Sequence, residues 1–276
     1  MDYKLLVLDL DGTLTNSEKE ISTRTKNVLI AAQEMGLKIV LASGRPTFGI
    51  VPLAKELKLD QYNGFILSYN GGEIINCTTE EVLHKKVLSP TVIPYLYRCA
   101  SEKKMAILSY KKDAILTEHP ADLYIHKEAY LNKMRIQEVP NFVEALTEPV
   151  AKCLIVGEPT ALIELEKTMA AALQETMNVF RSEPYFLELV PKGIDKAESL
   201  ALLLAHLNLS PADMMACGDG FNDLSMIVYA GLGIAMENAQ LAVKEAAHFV
   251  TRSNDADGVA YAVEKFIFKE PTDSLL

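Results

Sequence analysis

Leu5-Leu6-Val7-Leu8 is apolar at four consecutive positions. A strand with one wet face alternates in polarity, so an unbroken apolar run points to a strand buried on both faces. Comparable runs occupy Lys38 to Ala42, Phe65 to Ser68 and Met214 to Cys217, with shorter ones at Gly233 to Met236 and Phe249 to Thr251. Between them apolar residues recur at helical spacing. Val28, Leu29, Ala32 and Met35 form one such segment, and Gly36 stands where a helix C-cap belongs. Others are read at Val51 to Leu57, from Lys196 to Leu207, and after Phe221. Strands alternating with helices in this way predict an α/β fold, a Rossmann-like parallel sheet with crossover helices.

After Asn70-Gly71-Gly72 the pattern changes. Short β-like pieces at Glu73 to Ile75, Val82 to Val87, Ala106 to Tyr110 and Ala114 to Thr117 surround a helix near Val92 to Glu102. Lys152 to Gly157 reads as β-rich, and Thr160 to Glu175 and Val179 to Val190 read as helices. The simplest organisation is a core from residues 1–83 and 189–276, with an α+β domain inserted at 84–188. The length of 276 residues accommodates two such units.

Lys and Arg number 27 against 37 Asp and Glu, a formal charge of −10. Nucleic-acid binding needs a basic stripe to neutralise phosphates, and none is visible. An anionic substrate would therefore need local cations. The four cysteines (Cys77, Cys99, Cys153, Cys217) are widely spaced and suit reduced thiols in a reducing compartment. No signal-peptide pattern follows Lys4, and the least polar stretch, Leu224 to Met236, is too short to span a bilayer. These features predict a cytoplasmic protein with no membrane partner.

Open parallel sheets place function beyond the carboxyl ends of their strands, and four such positions carry conspicuous polar residues. Asp9-Leu10-Asp11-Gly12-Thr13 follows the first run. Two carboxylates there repel each other unless a cation intervenes, and hard oxygen donors suit Mg²⁺; the pair also fits a turn or helix cap. The spacing of Gly12 excludes a calcium EF-hand loop. Ala42-Ser43-Gly44-Arg45 fits a phosphate cradle or a plain N-cap. Lys192-Gly193-Ile194-Asp195-Lys196 offers a lysine to the site or to solvent. Gly218-Asp219-Gly220-Phe221-Asn222-Asp223 suits a divalent metal or a flexible acidic loop. Gly231-Leu232-Gly233 is no dinucleotide fingerprint, since Met236 occupies its last glycine position. The five histidines show no triad or ligand spacing.

Taken together and in this order, Asp-x-Asp-Gly-Thr, Ser-Gly, Lys and Gly-Asp-Gly-x-Asn-Asp resemble the haloacid dehalogenase (HAD) superfamily. The insertion after Asn70-Gly71-Gly72 looks like that of its Cof-type branch, with a class IIB cap. The resemblance implies an HAD core with an inserted cap domain that sets substrate specificity. Asp9 then matches the nucleophile that forms an aspartyl phosphate, and Asp11 the general acid and base. The implied metal ligands are Asp9, Asp219 and the Asp11 backbone carbonyl, with Asp223 supporting the metal and Mg²⁺ as cofactor. Leu10, Ser43, Gly44, Lys196 and Asn222 match the phosphate contacts. Lys196 is preferred over Lys192 from its placement three residues after Gly193.

The function implied is a Mg²⁺-dependent phosphatase of small phosphorylated metabolites, such as sugar phosphates. A phosphomutase and a non-catalytic phosphate sensor are the alternatives, and the absence of membrane spans excludes an ion-pumping ATPase. A large cap excludes solvent without a partner subunit, so a monomer is expected. Spacing does not name the substrate.

Overall fold

A computed structural model describes residues 2–269, which divide into two compact units. The first combines residues 2–84 with 195–269; the second is the stretch 85–194. In chain order the first unit opens with β1 (Leu5–Leu8), α1 (Thr23–Glu34), β2 (Lys38–Ala42), α2 (Thr47–Glu56), β3 (Phe65–Ser68), β4 (Glu73–Asn76) and β5 (Val82–Lys85). The second contains α3 (Ile93–Glu102), β6 (Ala106–Lys111), β7 (Ala114–Thr117), α4 (Leu123–Asn132), β8 (Arg135–Glu138), α5 (Phe142–Ala145), β9 (Cys153–Val156), α6 (Pro159–Leu173), β10 (Met177–Glu183) and β11 (Phe186–Pro191). The chain then returns with α7 (Lys196–His206), β12 (Met214–Gly218), α8 (Leu224–Tyr229), β13 (Leu232–Ala235), α9 (Leu241–Ala246), β14 (Phe249–Val250) and α10 (Gly258–Val263).

The first unit is built on an eight-stranded sheet in the order β14-β13-β12-β1-β2-β3-β4-β5. The strands from β14 to β3 are mutually parallel, and β4 runs antiparallel to β3. All four residues of β1 are fully buried, as an apolar run flanked by helices on both faces requires. From β1 the chain builds outward through β2 and β3, then returns on the other side with β12. The β1/β12 boundary is therefore a topological switch point, where such sheets open a crevice at their carboxyl ends.

Caps fix the helices that frame this crevice. The Ser22 hydroxyl accepts the Thr25 N–H at 3.1 Å at the start of α1, and Gly36 closes the helix at φ +95°. The Asp195 carboxylate accepts the Ala197 and Glu198 N–H groups at 2.8 and 3.1 Å, so α7 begins at Lys196.

The second unit carries a six-stranded sheet, β10-β11-β9-β6-β7-β8, antiparallel except for the β7/β8 pair. Residues of α3, α5 and α6 share its apolar core with Ile107, Leu116, Ile155 and Leu187.

Two sequence expectations are corrected here. Val179 to Val190 is the β10/β11 hairpin, not a helix: Pro184 sits in its turn, and adjacent apolar residues in β11 are buried on both faces. The strands β4 and β5, which follow the change of pattern after Gly72, belong to the sheet of the first unit. The second unit runs to Ile194 rather than 188, since β11 continues to Pro191 in register with β10. In addition, α4, β8 and α5 were not anticipated from the sequence.

Candidate active site

Asp9 is the first residue past β1, and its N–H still pairs with the Cys217 carbonyl of β12 at 3.1 Å. Its carboxylate is thereby fixed at the mouth of the crevice. The chain turns sharply behind it: the Leu10 carbonyl accepts the N–H groups of Thr13 and Thr15 at 3.3 and 2.9 Å, and the Thr15 hydroxyl at 2.9 Å. Gly12 makes this turn at φ +83°.

Lys196 enters from the first turn of α7, only 1% exposed. Its Nζ donates to Asp9 Oδ1 at 2.7 Å, Asp223 Oδ1 at 2.6 Å and the Ala42 carbonyl at 2.8 Å. All three ammonium protons are thus directed at named acceptors. Burial works against the charge, yet the Asp223 and Asp9 carboxylates hold its pKa well above the lysine range. Lys192 instead donates to the Gln174 carbonyl within the second unit.

Asp219 follows β12. Its Oδ1 accepts the Thr13 hydroxyl at 2.8 Å, and burial raises its pKa to about 6 against that bond. Asp223 is fully buried; its Oδ2 accepts the Asp219 and Gly220 N–H groups at 3.0 and 2.9 Å, which folds the loop around it. Carboxylate oxygens of Asp9, Asp219 and Asp223 lie within 4.8 Å of one another. Burial and then Asp223 push the Asp9 pKa well above the ordinary value, in spite of Lys196. Three carboxylates against one ammonium leave an excess of negative charge on hard oxygen donors, a set that fits a small divalent cation. Asp223 has both oxygens engaged by the protein, Oδ1 by Lys196 and Oδ2 by the loop N–H groups.

The other site residues predicted from sequence gather at the same sheet edge. Ser43 is buried just beyond β2, and its hydroxyl accepts the Arg45 N–H at 3.1 Å. Asn222 donates to Asn70 Oδ1 at 3.1 Å, and a Cβ placed on Gly44 would lie 3.0 Å from Asn70 Nδ2. Asn70 thus joins the loop after β12 to the loop after β2. Asp11 points to cations: Arg45 donates from Nη2 and Nε at 2.6 and 2.8 Å, and Lys19 at 2.9 Å. Burial acts to raise its pKa, but these bonds, led by Arg45, hold it below the usual carboxylate range.

Sequence reasoning gave no role to Arg45, Lys19, Asn70, Asn238 or Asn254. Asn238 donates to the Gly12 carbonyl at 2.8 Å, and Asn254 to the Thr15 carbonyl at 2.9 Å, fastening the turn that carries Asp11. Arg45 adjoins the Ser43-Gly44 pair and was open to inspection; the two asparagines lie in unremarkable loops.

The family of haloacid dehalogenase-like hydrolases is matched over residues 6–263. The chain belongs to this family. The Bacillus subtilis chain YxeH, named a phosphatase, is 31% identical over 271 residues, covering 96% of this chain and 98% of its own. The 5-amino-6-(5-phospho-D-ribitylamino)uracil phosphatase YcsE of the same organism is 29% identical over 269 residues, with 97% coverage of both. Among solved structures, a haloacid dehalogenase-like hydrolase from Bacteroides thetaiotaomicron superposes with a TM-score of 0.93 at 57% identity, covering 95% of this chain and 99% of that one. The subclass IIB sugar phosphatase BT4131 superposes at 0.80 with 27% identity, covering 95% and 98%. The HAD protein is accordingly an enzyme, a phosphatase acting on phosphorylated substrates. No helix among the described residues is long and apolar enough to cross a membrane.

Proposed function

We propose that the protein is a Mg²⁺-dependent phosphatase of small sugar or polyol phosphates, working through a phosphorylated Asp9. The observation that carries this reading is the buried Asp9 carboxylate, 2.7 Å from Lys196 Nζ and clustered with Asp219 and Asp223. The substrate class is supported by relatives named for a sugar phosphatase and for a phosphoribitylamino compound.

In this mechanism an Asp9 oxygen attacks phosphorus, the P–O bond to the leaving group breaks, and Asp11 delivers a proton to the departing oxygen. Water then attacks the aspartyl phosphate and gives its proton to Asp11, which frees phosphate and restores the Asp9 carboxylate. Lys196 favours the ionised form of the nucleophile against the burial that opposes it, and offsets charge on the transferring group. Ser43, the Gly44 amide and the Leu10 backbone hold the phosphoryl oxygens, with Asn222 ordering the loop beside them. Asp9, Asp219 and the Asp11 carbonyl would hold Mg²⁺, with Asp223 behind Asp219. The cation would neutralise phosphoryl charge as it develops. The second unit, residues 85–194, would select the leaving group.

The test is phosphate release from a panel of sugar, polyol, nucleotide and aryl phosphates, with Mg²⁺ and with chelator. Chelator-sensitive release favouring sugar or polyol esters is expected. Release indifferent to chelator, or confined to nucleotides, would contradict the reading. Transfer of phosphate between substrate positions without release would indicate a mutase.

A further inference from the structure

Asp11 is held by more than proximity. Arg45 closes on both of its oxygens, Nη2 to Oδ1 at 2.6 Å and Nε to Oδ2 at 2.8 Å, in the side-by-side geometry that makes guanidinium–carboxylate pairs strong. Lys19 adds a third bond to Oδ1. A carboxylate with both oxygens held by cations in this way is occupied at the atoms that would meet the ester oxygen of a substrate. The acid–base role proposed for Asp11 therefore requires the pair to open.

Opening it leaves the Arg45 guanidinium without a partner, and this side chain is only 15% exposed. An arginine so enclosed loses much of its hydration, so separation is unfavourable unless another anion takes the carboxylate's place. The phosphate of a substrate would be such an anion. The Arg45 N–H is bonded to Ser43 Oγ at 3.1 Å, so the turn that would contact the phosphoryl group also carries the guanidinium. The planar fork of an arginine matches phosphate oxygens as well as it matches a carboxylate.

We propose that Arg45 is an anion-binding residue of the site that exchanges the Asp11 carboxylate for the phosphate of an arriving substrate. In the empty site Arg45 keeps Asp11 turned away; with substrate present the guanidinium moves to a phosphoryl oxygen and Asp11 swings to the leaving group. This rests on the phosphatase reading with Asp11 as acid and base. It goes beyond that reading in giving a binding role to Arg45 and an order to the two contacts.

The test uses Arg45→Ala and Arg45→Lys, with inorganic phosphate titrated calorimetrically in Mg²⁺ buffer and steady-state kinetics on one alkyl and one aryl phosphate. Loss of a charged phosphate contact should weaken phosphate binding roughly 10–100-fold in Arg45→Ala and less in Arg45→Lys. KM should rise in parallel for both esters, and the ratio of alkyl to aryl kcat should stay near that of the wild type, because Asp11 remains able to act. Phosphate affinity within about twofold of wild type in a folded Arg45→Ala protein would overturn the proposal. So would unchanged KM with a selective loss of alkyl-ester kcat, since Arg45 would then be a fixed prop for Asp11. Arg45→Lys supplies the reading if Arg45→Ala does not fold. A wild type that binds phosphate but cleaves no ester would refute the phosphatase reading, while the titrations would still report on Arg45.

Discussion

Lys196 Nζ lies 2.7 Å from Asp9 Oδ1, although 187 positions separate the two residues. The contact depends on two local facts. Asp9 is held at the end of β1 by its pairing with β12, and the Asp195 cap starts α7 so that Lys196 points into the sheet edge. Residues 85–194 lie between these two points in sequence, yet both points are anchored within one unit. An insertion there can vary without moving the nucleophile relative to its counter-charge.

Lys196→Met should expose the importance of that counter-charge. Asp9 and Asp223 would remain buried together without a cation, and removing one member of a buried ionic set typically costs about 3–5 kcal/mol. Urea denaturation in chelator should show a loss of this order, and turnover should fall below detection. Wild-type stability in the variant would mean that the carboxylates carry no charge in the folded state.

Gly12→Ala tests the close approach at the turn. A Cβ at Gly12 would lie 2.8 Å from Asp219 Cγ and closer still to Oδ2, on a backbone at φ +83°. The Asp219 carboxylate would have to move. A displacement near 1 Å in such a site costs about 10²-fold in rate. The variant should stay folded, lose roughly that factor in kcat/KM, and require more Mg²⁺ for half-maximal activity; an unaltered Mg²⁺ dependence would contradict this account.

In the second unit, Glu128 is buried beside Lys152 and Glu188. Its Oε1 accepts Tyr110 OH at 2.6 Å and Asn132 Nδ2 at 2.8 Å. Burial raises its pKa, and the Lys152 charge and the Tyr110 bond only partly offset this. A carboxyl whose pKa is higher folded than unfolded favours folding while protonated, and loses that contribution as pH rises through the folded value. Glu128→Gln keeps the neutral form at every pH. The variant should therefore gain on wild type as pH rises from 4 to 8. Chemical denaturation across that range checks it; a wild-type advantage growing toward pH 8 would show that the Lys152 attraction dominates.

The sequence disclosed most of the first unit because its inner strands carry unbroken apolar runs, with polar residues such as Lys38 and Ser68 only at their ends. Asp9, Ser43 and Asp219 were visible for that reason. The second unit was harder to read. In α4 the usual pattern is blurred: Leu123 and Tyr130 are 67% and 84% exposed, whereas Glu128 and Asn132 are buried beside Ile125 and Ala129. The apolar stripe of that segment is therefore reduced to Ile125 and Ala129. The β10/β11 hairpin was misread because adjacent buried residues in β11 imitate a helical cluster. Arg45 had no visible role because its partner Asp11 lies 34 positions away and meets it only through the adjacency of β1 and β2.

The most direct measurement is mass spectrometry of acid-quenched enzyme during turnover of a hydrolysed phosphate ester. Wild-type protein should carry one added phosphoryl group, localised by digestion to the peptide containing Asp9, and Asp9→Asn should carry none. Label on another residue, or rapid turnover by Asp9→Asn, would contradict the assignment of Asp9 as the nucleophile.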